Sequence, residues 1–373
     1  MHRKGPMGKL QRALGLMSGT SMDGIDVALL TTDGDRQLRH GPAAAFPYPS
    51  QIKMRLRAAL GEAKALQQRA ERPGGLRELE RDLTLLNAQA VNSFLAAKGI
   101  DRAEVDLVGY HGQTVLHDAS AGMTVQLGDG ALLASETGLD VVFDLRAADV
   151  AAGGEGAPLV PVYHRALAVQ LAMLPAAFLN IGGVANVTWI GERIIAFDTG
   201  PGNALLDDWM LKHTGAAHDP DGTTAARGRV DARALTVLLT HGYFGARPPK
   251  SLDRDAFSAG PVAGLSLEDG AATLAAFTAA SIAKAREHMP REPRVWVVCG
   301  GGRKNKTLMS MLAANVQNAV VPVEALGLNG DFIEAEAWAY LAVRSVLGLP
   351  ITFPETTGVA HPLTGGVLVK AAR

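Results

Sequence analysis

The sequence predicts an α/β fold with two sheet domains and a cleft between them. Each half of the chain opens with strand-like segments that turn at small residues, and helical and strand-like segments alternate behind them. A glycine-rich segment near the middle of the chain separates the two halves. Alternating strands and helices are typical of α/β folds, in which ligands bind where strand ends meet helix starts.

The first half begins with a strand–turn–strand hairpin. Ala13 and Leu14 lead into the turn, and an alternating apolar strand leaves it over 25–30. Apolar spacing and turn residues then predict two helices and three strands, over 51–72, 75–98, 105–110, 123–127 and 140–143. The segment 153–158, Gly-Gly-Glu-Gly-Ala-Pro, is predicted as a hinge that ends this half.

The second half repeats this organisation. Strands are predicted over 177–181, 184–190, 194–197 and 294–299. Helices are predicted from about 204, over 266–288, from about 305 and over 331–346. Ser266 and Asp269 have the spacing of a capping box at the start of the long helix.

Composition restricts the class of protein. Hydrophobic residues make up 47% and charged residues 20% of the 373 residues, as in a globular chain long enough for two domains. Lys and Arg number 36 and Asp and Glu 37, so nothing favours nucleic acid or an anionic membrane as a partner. Cys299 is the only cysteine, which excludes an intrachain disulfide. With no secretion signal and no apolar run of about 20 residues, we expect a cytoplasmic protein.

The turn of the first hairpin is a candidate phosphate site. Backbone N–H groups at a tip of small and hydroxyl residues can bind phosphate oxygens, and nearby carboxylates can hold Mg²⁺. No Walker loop is present. Taken alone, the turn is also compatible with a plain glycine-rich hairpin. The predicted nucleotide contacts are Gly19, Thr20, Ser21, Met22, Asp23, Gly24, Ile25 and Asp26, with Asp23 or Asp26 reaching Mg²⁺ directly or through water.

Two further turns carry the same type of signal. In the turn 198–203, Gly200 and Gly202 permit close backbone approach, and the following helix offers N–H groups to an anion. Asp198 ends an apolar strand, where it can accept a proton, although it can also simply cap the turn. Gly300, Gly301 and Gly302 follow another apolar strand and leave room for a flat nucleoside, or form an ordinary strand-to-helix turn. Cys299 is predicted to be a core residue.

Two phosphate turns and a nucleoside turn form the layout of the actin-like ATPase and sugar-kinase superfamily, which has a ribonuclease H-like fold. Within it, the chain resembles the anhydro-N-acetylmuramic acid kinases from residue 15 to about 345. The matching segments are 15–26, 111–114, 126–130, 144–161, 179–183, 198–203, 297–305 and 334–339. On this resemblance the first domain covers 13–155, with 347–373 packing back against it, and the second covers 156–346.

The resemblance implies one reaction and a set of roles. ATP and water convert 1,6-anhydro-N-acetylmuramic acid into N-acetylmuramic acid 6-phosphate and ADP, with Asp198 as the base for the water. The partners implied are this sugar and ATP with Mg²⁺, and the family suggests a homodimer. The expected sugar-side residues are His111, Gln113, Arg146, Asp149 and Glu334, of which Arg146 suits the lactyl carboxylate.

Alternatives remain at the level of residues and of function. His111 can be a satisfied core histidine, Arg146 a structural ion-pair partner and Glu334 a helix-start acid. A kinase for another amino sugar or hexose, or an actin-like ATPase that transfers no phosphate, also fits the phosphate turns. Glu155 and the pair Leu252-Asp253 depart from the family's usual residues, which affects a subsite or loop contact.

Overall fold

A computed structural model of the protein describes residues 9–19 and 21–372. Thr20, one of the predicted nucleotide contacts, therefore lies outside the described residues. The strands are β1 Gln11–Met17, β2 Gly24–Thr32, β3 Leu38–Pro47, β4 Leu107–Tyr110, β5 Gln113–Asp118, β6 Met123–Leu127, β7 Val141–Phe143, β8 Ala176–Ile181, β9 Val184–Ile190, β10 Ile194–Pro201, β11 Val295–Cys299, β12 Ala319–Pro322 and β13 Val367–Val369.

The helices connect these strands and cover the sheets. They are α1 Ser50–Ala63, α2 Leu76–Lys98, α3 Gly130–Thr137, α4 Ala147–Ala151, α5 Pro161–Gln170, α6 Ala204–Thr214, α7 Thr223–Arg227, α8 Ala232–Leu239, α9 Leu267–Lys284, α10 Lys306–Val316, α11 Ile333–Val346 and α12 Pro354–Thr357. Among the described residues, no helix is both long and apolar enough to cross a membrane.

The chain folds into two compact units. The first contains the described residues up to Gln170 together with those from Phe332 onward, and the second contains Leu171–Asp331. These limits differ from the predicted boundaries at 155/156 and 346/347. The reason is that α5 and the whole of α11 pack against strands of the first unit, so the C-terminal return begins before α11 and not after it.

Each unit is built on a sheet of the same design. The order is β13-β7-β4-β1-β2-β3 in the first unit and β10-β9-β8-β11-β12 in the second. In both units, three antiparallel strands form a meander. Two further strands run parallel to the first strand of the meander and extend the sheet beyond it. The repeated order and directions confirm the predicted α/β fold class with two sheet domains.

Two paired glycines let α11 lie directly on the first sheet. Gly15 of β1 and Gly109 of β4 are register partners. A Cβ on Gly15 would overlap the Ala335 carbonyl oxygen, and a Cβ on Gly109 would overlap that of Trp338. Glycine is therefore required at both positions by the close approach of the helix backbone. This approach fixes the N-terminal end of α11, which carries Glu334, relative to the ends of β1 and β4.

Most predicted elements are present, with instructive differences. The predicted helix over 51–72 ends at Ala63, because the Glu71 carboxylate accepts the N–H groups of Gln67 and Gln68 in a non-helical loop. The prediction missed β3, an edge strand containing Pro42, which an edge tolerates. The predicted strand over 194–197 continues to Pro201 through an irregularity in its pairing between Asp198 and Gly200.

Candidate functional site

The turn between β1 and β2 has a defined backbone. The Met22 N–H donates to the Gly19 carbonyl oxygen (3.1 Å), and Met22 has a φ of 57°. The side chains of Met22 and Ile25 are buried in the core of the first unit, so only their backbone groups can contact a ligand. Ser21 and Asp23 are exposed. The turn therefore offers backbone groups and short polar side chains, as a phosphate site requires.

Two predicted sugar-side residues contact this turn. The Gln113 amide nitrogen donates to the Gly19 carbonyl oxygen (3.1 Å), and His111 Nδ1 lies 3.0 Å from the Ser18 carbonyl oxygen. Ser18 itself is buried, and its hydroxyl bonds the Tyr48 hydroxyl (2.8 Å). The end of β4 and the first turn are thus one hydrogen-bonded structure.

The protonation of His111 follows from its partners. Arg146 Nη2 lies 3.2 Å from His111 Nε2 and, being a guanidinium, can only donate. Nε2 therefore accepts, and Nδ1 carries the proton that is donated to the Ser18 carbonyl. Burial and the charge of Arg146 keep the pKa of His111 well below its usual range. His111 is a neutral residue that joins the first turn to Arg146.

Arg146 is held in place but keeps donor capacity. Its Nη1 donates to the Gly156 carbonyl oxygen (2.8 Å), and its guanidinium lies 5.2 Å from the ring centre of Trp338. Burial lowers the pKa of Arg146 to about 10, so it stays cationic at neutral pH. Its Nε is buried without a hydrogen-bond partner among residues 9–19 and 21–372. A guanidinium fork can bind a carboxylate through two parallel hydrogen bonds.

Glu334 and Asp149 have different environments. Glu334 is exposed at the start of α11, yet protein around its carboxylate raises the pKa of Glu334, and the charge of Arg146 opposes this rise. Asp149 is buried, and its two carboxylate oxygens accept from the Gly156 N–H (2.6 Å) and the Thr357 hydroxyl (2.6 Å). Asp149 therefore holds the turn at Gly156, while Glu334 is an exposed residue at the start of α11.

The two predicted magnesium residues lie on the same hairpin. Asp23 is exposed, and its carboxylate is 3.8 Å from the Lys53 ammonium group. Asp26 is partly buried on β2 and pairs with Met17 of β1. No group of three or more His, Cys, Asp or Glu in the described ranges is placed to hold a metal ion. One or two carboxylates are nevertheless sufficient when substrate phosphates and water complete the shell of Mg²⁺.

Asp198 lies in the second unit, on β10. Its Oδ2 accepts the backbone N–H of Leu252 (2.7 Å), and its carbonyl oxygen accepts the Tyr243 hydroxyl (2.6 Å). Its own N–H donates to the Lys250 carbonyl oxygen (3.0 Å). Burial raises the pKa of Asp198 to about 6, against the opposing effect of the Leu252 N–H. This gives an oriented carboxylate with a pKa suited to a general base near neutral pH.

The backbone beyond Asp198 depends on its glycines. Gly200 has a φ of 154°, and a Cβ there would come within 2.8 Å of the Ser281 side chain. The Gly202 N–H donates to the Gly183 carbonyl oxygen (2.9 Å), and a Cβ on Gly202 would overlap the Gly182 carbonyl. This close packing leads directly into α6, and the N–H groups of Asn203 and Ala204 at its start donate to the carbonyl oxygens of Gly182 (2.7 Å) and Gly183 (3.2 Å).

The glycines 300–302 differ in what surrounds them. Gly300 has a φ of 73°, and a Cβ there would collide with Asn180. A Cβ on Gly302 would collide with the Ile181 side chain. A Cβ on Gly301 would have one described atom within 4 Å outside its chain neighbours, the Asn203 amide nitrogen at 3.8 Å. Gly300 and Gly302 therefore serve internal packing, and Gly301 is the one with free space for a ligand. Cys299 is buried, as predicted.

Sequence reasoning missed the residues that orient these groups. Tyr243 and the Leu252 N–H orient Asp198, and nothing in the local sequence indicates this, because they lie about 50 residues further along the chain. Trp338 packs on both His111 (ring centres 4.5 Å apart) and Arg146. In the sequence, Trp338 was singled out only as a member of the family-matching segment 334–339.

Comparisons with known proteins show the family to which the chain is related. A family model described as anhydro-N-acetylmuramic acid kinase matches residues 11–371. A protein of that name from Paramagnetospirillum magneticum is 55% identical over 359 residues, covering 95% of this chain and 98% of its own. Another of that name from Agrobacterium fabrum is 52% identical over 373 residues, covering 98% of this chain and 100% of its own.

Solved structures with overall similarity are much more distant in sequence. A hexokinase from Schistosoma mansoni complexed with glucose is 12% identical with a TM-score of 0.46, and the match covers 90% of this chain and 86% of the hexokinase. Component A of the (R)-2-hydroxyglutaryl-CoA dehydratase from Acidaminococcus fermentans is 10% identical with a TM-score of 0.47, covering 90% and 99%. At these values neither structure informs the role of any residue.

Proposed function

This chain belongs to the anhydro-N-acetylmuramic acid kinase family, and on that premise we propose how its residues carry out the reaction. The protein is an ATP-dependent kinase that opens 1,6-anhydro-N-acetylmuramic acid with water and phosphorylates O6. The products are N-acetylmuramic acid 6-phosphate and ADP. The reaction belongs to cell-wall recycling and amino-sugar catabolism.

The anhydro bridge determines what the protein must supply. O6 is bonded to C1, so water attacks C1, the C1–O6 bond breaks, and O6 forms its bond to the γ-phosphorus. One proton must leave the attacking water. A base at C1 and stabilisation of charge at the phosphate are therefore both required.

We assign the proton transfer to Asp198. The observation that supports this most is the geometry of its carboxylate, in which one oxygen is oriented by the Leu252 N–H and burial raises the pKa to about 6. A base with this pKa is mostly ionised at neutral pH, yet is basic enough to accept a proton in the transition state.

The three turns are assigned to ATP. The turns 19–24 and 198–203 are assigned to the phosphates, and Gly301 has space for the nucleoside. Magnesium, when bound, neutralises phosphate charge, and Asp23 or Asp26 would hold it through water.

Chelation with EDTA is expected to abolish phosphate transfer, and full activity in EDTA would contradict a magnesium role.

The sugar side is assigned to the first unit. The lactyl carboxylate is assigned to Arg146, with His111 and Trp338 holding its guanidinium. Gln113 and Glu334 are assigned to sugar hydroxyls. Asp149 positions the turn at Gly156 and contributes indirectly.

We also propose a cytoplasmic homodimer on the family resemblance, and a monomer in sedimentation equilibrium would contradict the dimer.

Product analysis in ¹⁸O-labelled water tests the reaction itself. If water attacks C1, one labelled oxygen is expected at C1 of the sugar 6-phosphate. The position of the label is read by mass spectrometry of fragments soon after mixing. An early reading is needed because the anomeric oxygen of the open sugar exchanges with water over time. A control with unlabelled product in the same water measures that exchange. Label no higher than in this control would indicate plain phosphorylation of a free hydroxyl.

The pH dependence of kcat/KM tests the base. The raised pKa of Asp198 means that its ionised form is lost below about pH 6, so kcat/KM is expected to fall about tenfold per pH unit there. Burial also raises the pKa of Asp207 to about 6, so Asp207→Asn is the matched control. The acid limb should persist in Asp207→Asn. If the acid limb disappeared in Asp207→Asn, it would report the ionisation of Asp207 and not that of Asp198.

A further inference from the structure

Asp198 lies on the open edge of the second sheet. β10 is the last strand in the order of that sheet, so one side of its backbone has no partner among the described strands. On that side the Asp198 N–H donates to the Lys250 carbonyl oxygen (3.0 Å), and the Asp198 carbonyl oxygen accepts the Tyr243 hydroxyl (2.6 Å). The Asp198 carboxylate accepts the Leu252 N–H (2.7 Å). Three groups that follow in the chain therefore hold Asp198 at an edge that would otherwise be unpaired.

The segment that supplies two of these groups has no regular structure of its own. Residues 246–253 form neither helix nor strand, and Ser251 and Asp253 are exposed. The segment contacts Asp198 through the backbone of residues 250 and 252, so Leu252 can differ from the family's usual residue without losing the contact. Irregular segments of this kind are the more mobile parts of a fold. Holding two backbone groups on Asp198 therefore requires a further attachment of the segment.

The side chain of Lys250 supplies this attachment. Its ammonium group donates to the Tyr243 carbonyl oxygen (3.2 Å) and lies 4.5 Å from the centre of the Tyr243 ring. The same group lies 5.8 Å from the ring centre of Phe197, the residue before Asp198 on β10. A cation at these distances is attracted to the face of an aromatic ring. Lys250 thus links the segment both to Tyr243 and to β10.

These contacts form a closed circuit around Asp198. The Lys250 side chain binds Tyr243, the Tyr243 hydroxyl binds the Asp198 carbonyl oxygen, and the Asp198 N–H binds the Lys250 carbonyl oxygen. Burial raises the pKa of Tyr243, so its hydroxyl stays neutral and remains a donor. Removal of the Lys250 ammonium group would open the circuit. It would thereby release the segment that carries the Leu252 N–H.

We propose that Lys250 is a positioning residue for Asp198. Its side chain fixes the segment 250–252 on the edge of β10, and the Leu252 N–H then holds the Asp198 carboxylate in the orientation needed for proton transfer. The inference rests on the proposed function, in which Asp198 is the base. A base must be held within hydrogen-bond reach of the proton that it accepts, and a displacement of about 1 Å can lower a rate by about 10²-fold.

Turnover of Lys250→Met tests this role. We expect kcat to fall about 10- to 100-fold, because the base is present but no longer held. The Kd values of ATP and of the anhydro sugar, measured by calorimetry, should stay within about threefold of wild type, since Lys250 is assigned to neither ligand. Lys250→Arg keeps a cation beside the Tyr243 ring and should recover most of the lost rate.

Lys284→Met is the matched control for the loss of a positive charge. Burial lowers the pKa of Lys250, and the charge of Lys284 adds to this effect while that of Glu287 opposes it. Lys284 is therefore a nearby cation, but its ammonium group pairs with Glu287 (3.6 Å). Lys284→Met should turn over within about threefold of wild type, because it leaves the circuit closed.

Two further measurements separate positioning of the base from a general loss of structure. In the Asp198→Asn background, Lys250→Met should lower turnover by no more than about threefold, because no base is left to orient. Hydrogen exchange of the peptide that contains Leu252 should be at least about 10-fold faster in Lys250→Met and unchanged in Lys284→Met, since that N–H would lose its acceptor. Tyr243→Phe opens the same circuit with a smaller change and should lower kcat about 3- to 10-fold.

The kinetic outcomes distinguish this proposal from the assignment of the base. The role of Lys250 is overturned if Lys250→Met turns over within about threefold of wild type, if it loses the same factor in the Asp198→Asn background, or if Lys284→Met shows an equal loss. Near-normal turnover of Asp198→Asn would instead contradict the proposed base. The hydrogen exchange of Leu252 would then still support or overturn the attachment of the segment by Lys250.

Discussion

Asp198→Asn is expected to retain ATP binding and to lower turnover of the anhydro sugar by about 10³-fold or more. The amide can still accept the Leu252 N–H at its oxygen, so the geometry of β10 should be kept while the proton acceptor is lost. General-base assistance is worth about 10²–10⁴-fold. ATP affinity measured by calorimetry and turnover measured by ADP release separate the two effects.

The Asp207→Asn protein provides the comparison for this loss. Asp207 lies in the first turn of α6 and also has a raised pKa, but it has no assigned role in the reaction. Its variant should turn over within a few-fold of wild type. Turnover near wild type in Asp198→Asn would remove Asp198 from its role as base, and equal losses in both variants would point to a general electrostatic effect.

Gly15→Ala is expected to lower the free energy of unfolding by about 3 kcal/mol. A Cβ at this position would overlap the backbone of α11 at Ala335, and a helix backbone has no rotamer with which to move away. Overpacking of this kind typically costs about 1–3 kcal/mol, and contact with backbone places it at the upper end. Urea denaturation followed by the fluorescence of the protein measures the change.

Gly61→Ala is the matched control for the same chemical change. Gly61 lies in α1, is exposed, and has nothing within 4 Å of an added Cβ. Replacing glycine by alanine in a helix stabilises by about 0.5–1 kcal/mol. The two variants should therefore shift the urea midpoint in opposite directions. An unchanged midpoint in Gly15→Ala would mean that α11 does not lie as close to β1 as described.

The consequence for function follows from what α11 carries. Glu334 stands at its start, and Trp338 on the next turn packs on His111 and Arg146. Displacing the helix from β1 would move these groups together. Gly15→Ala protein that remains folded is therefore expected to bind the anhydro sugar more weakly, with ATP affinity affected less.

Local sequence was sufficient for the elements whose signals are local. The bounds of β6 and β9 were predicted correctly, and α2 was predicted within one residue. Their apolar periodicity is bounded by glycines or turn residues, so a short window contains the whole signal. The repeated meander and the turns at 19–24, 198–203 and 300–302 were readable for the same reason, and they predicted the fold class, whereas the reaction was implied by the resemblance of a longer set of segments to one family.

Long-range contacts decided the rest. Among the described strands β3 pairs only with β2, α11 belongs to the first unit because two glycines admit it, and the loop 64–75 ends α1. The pKa of Asp198 depends on burial and on the N–H of Leu252, and the tautomer of His111 depends on Arg146. The sequence by itself determined which chemical groups the protein has and where its chain turns. Only the tertiary structure decided which of them meet and how far they are removed from water, because electrostatic and packing energies depend on distance in space and not on separation along the chain.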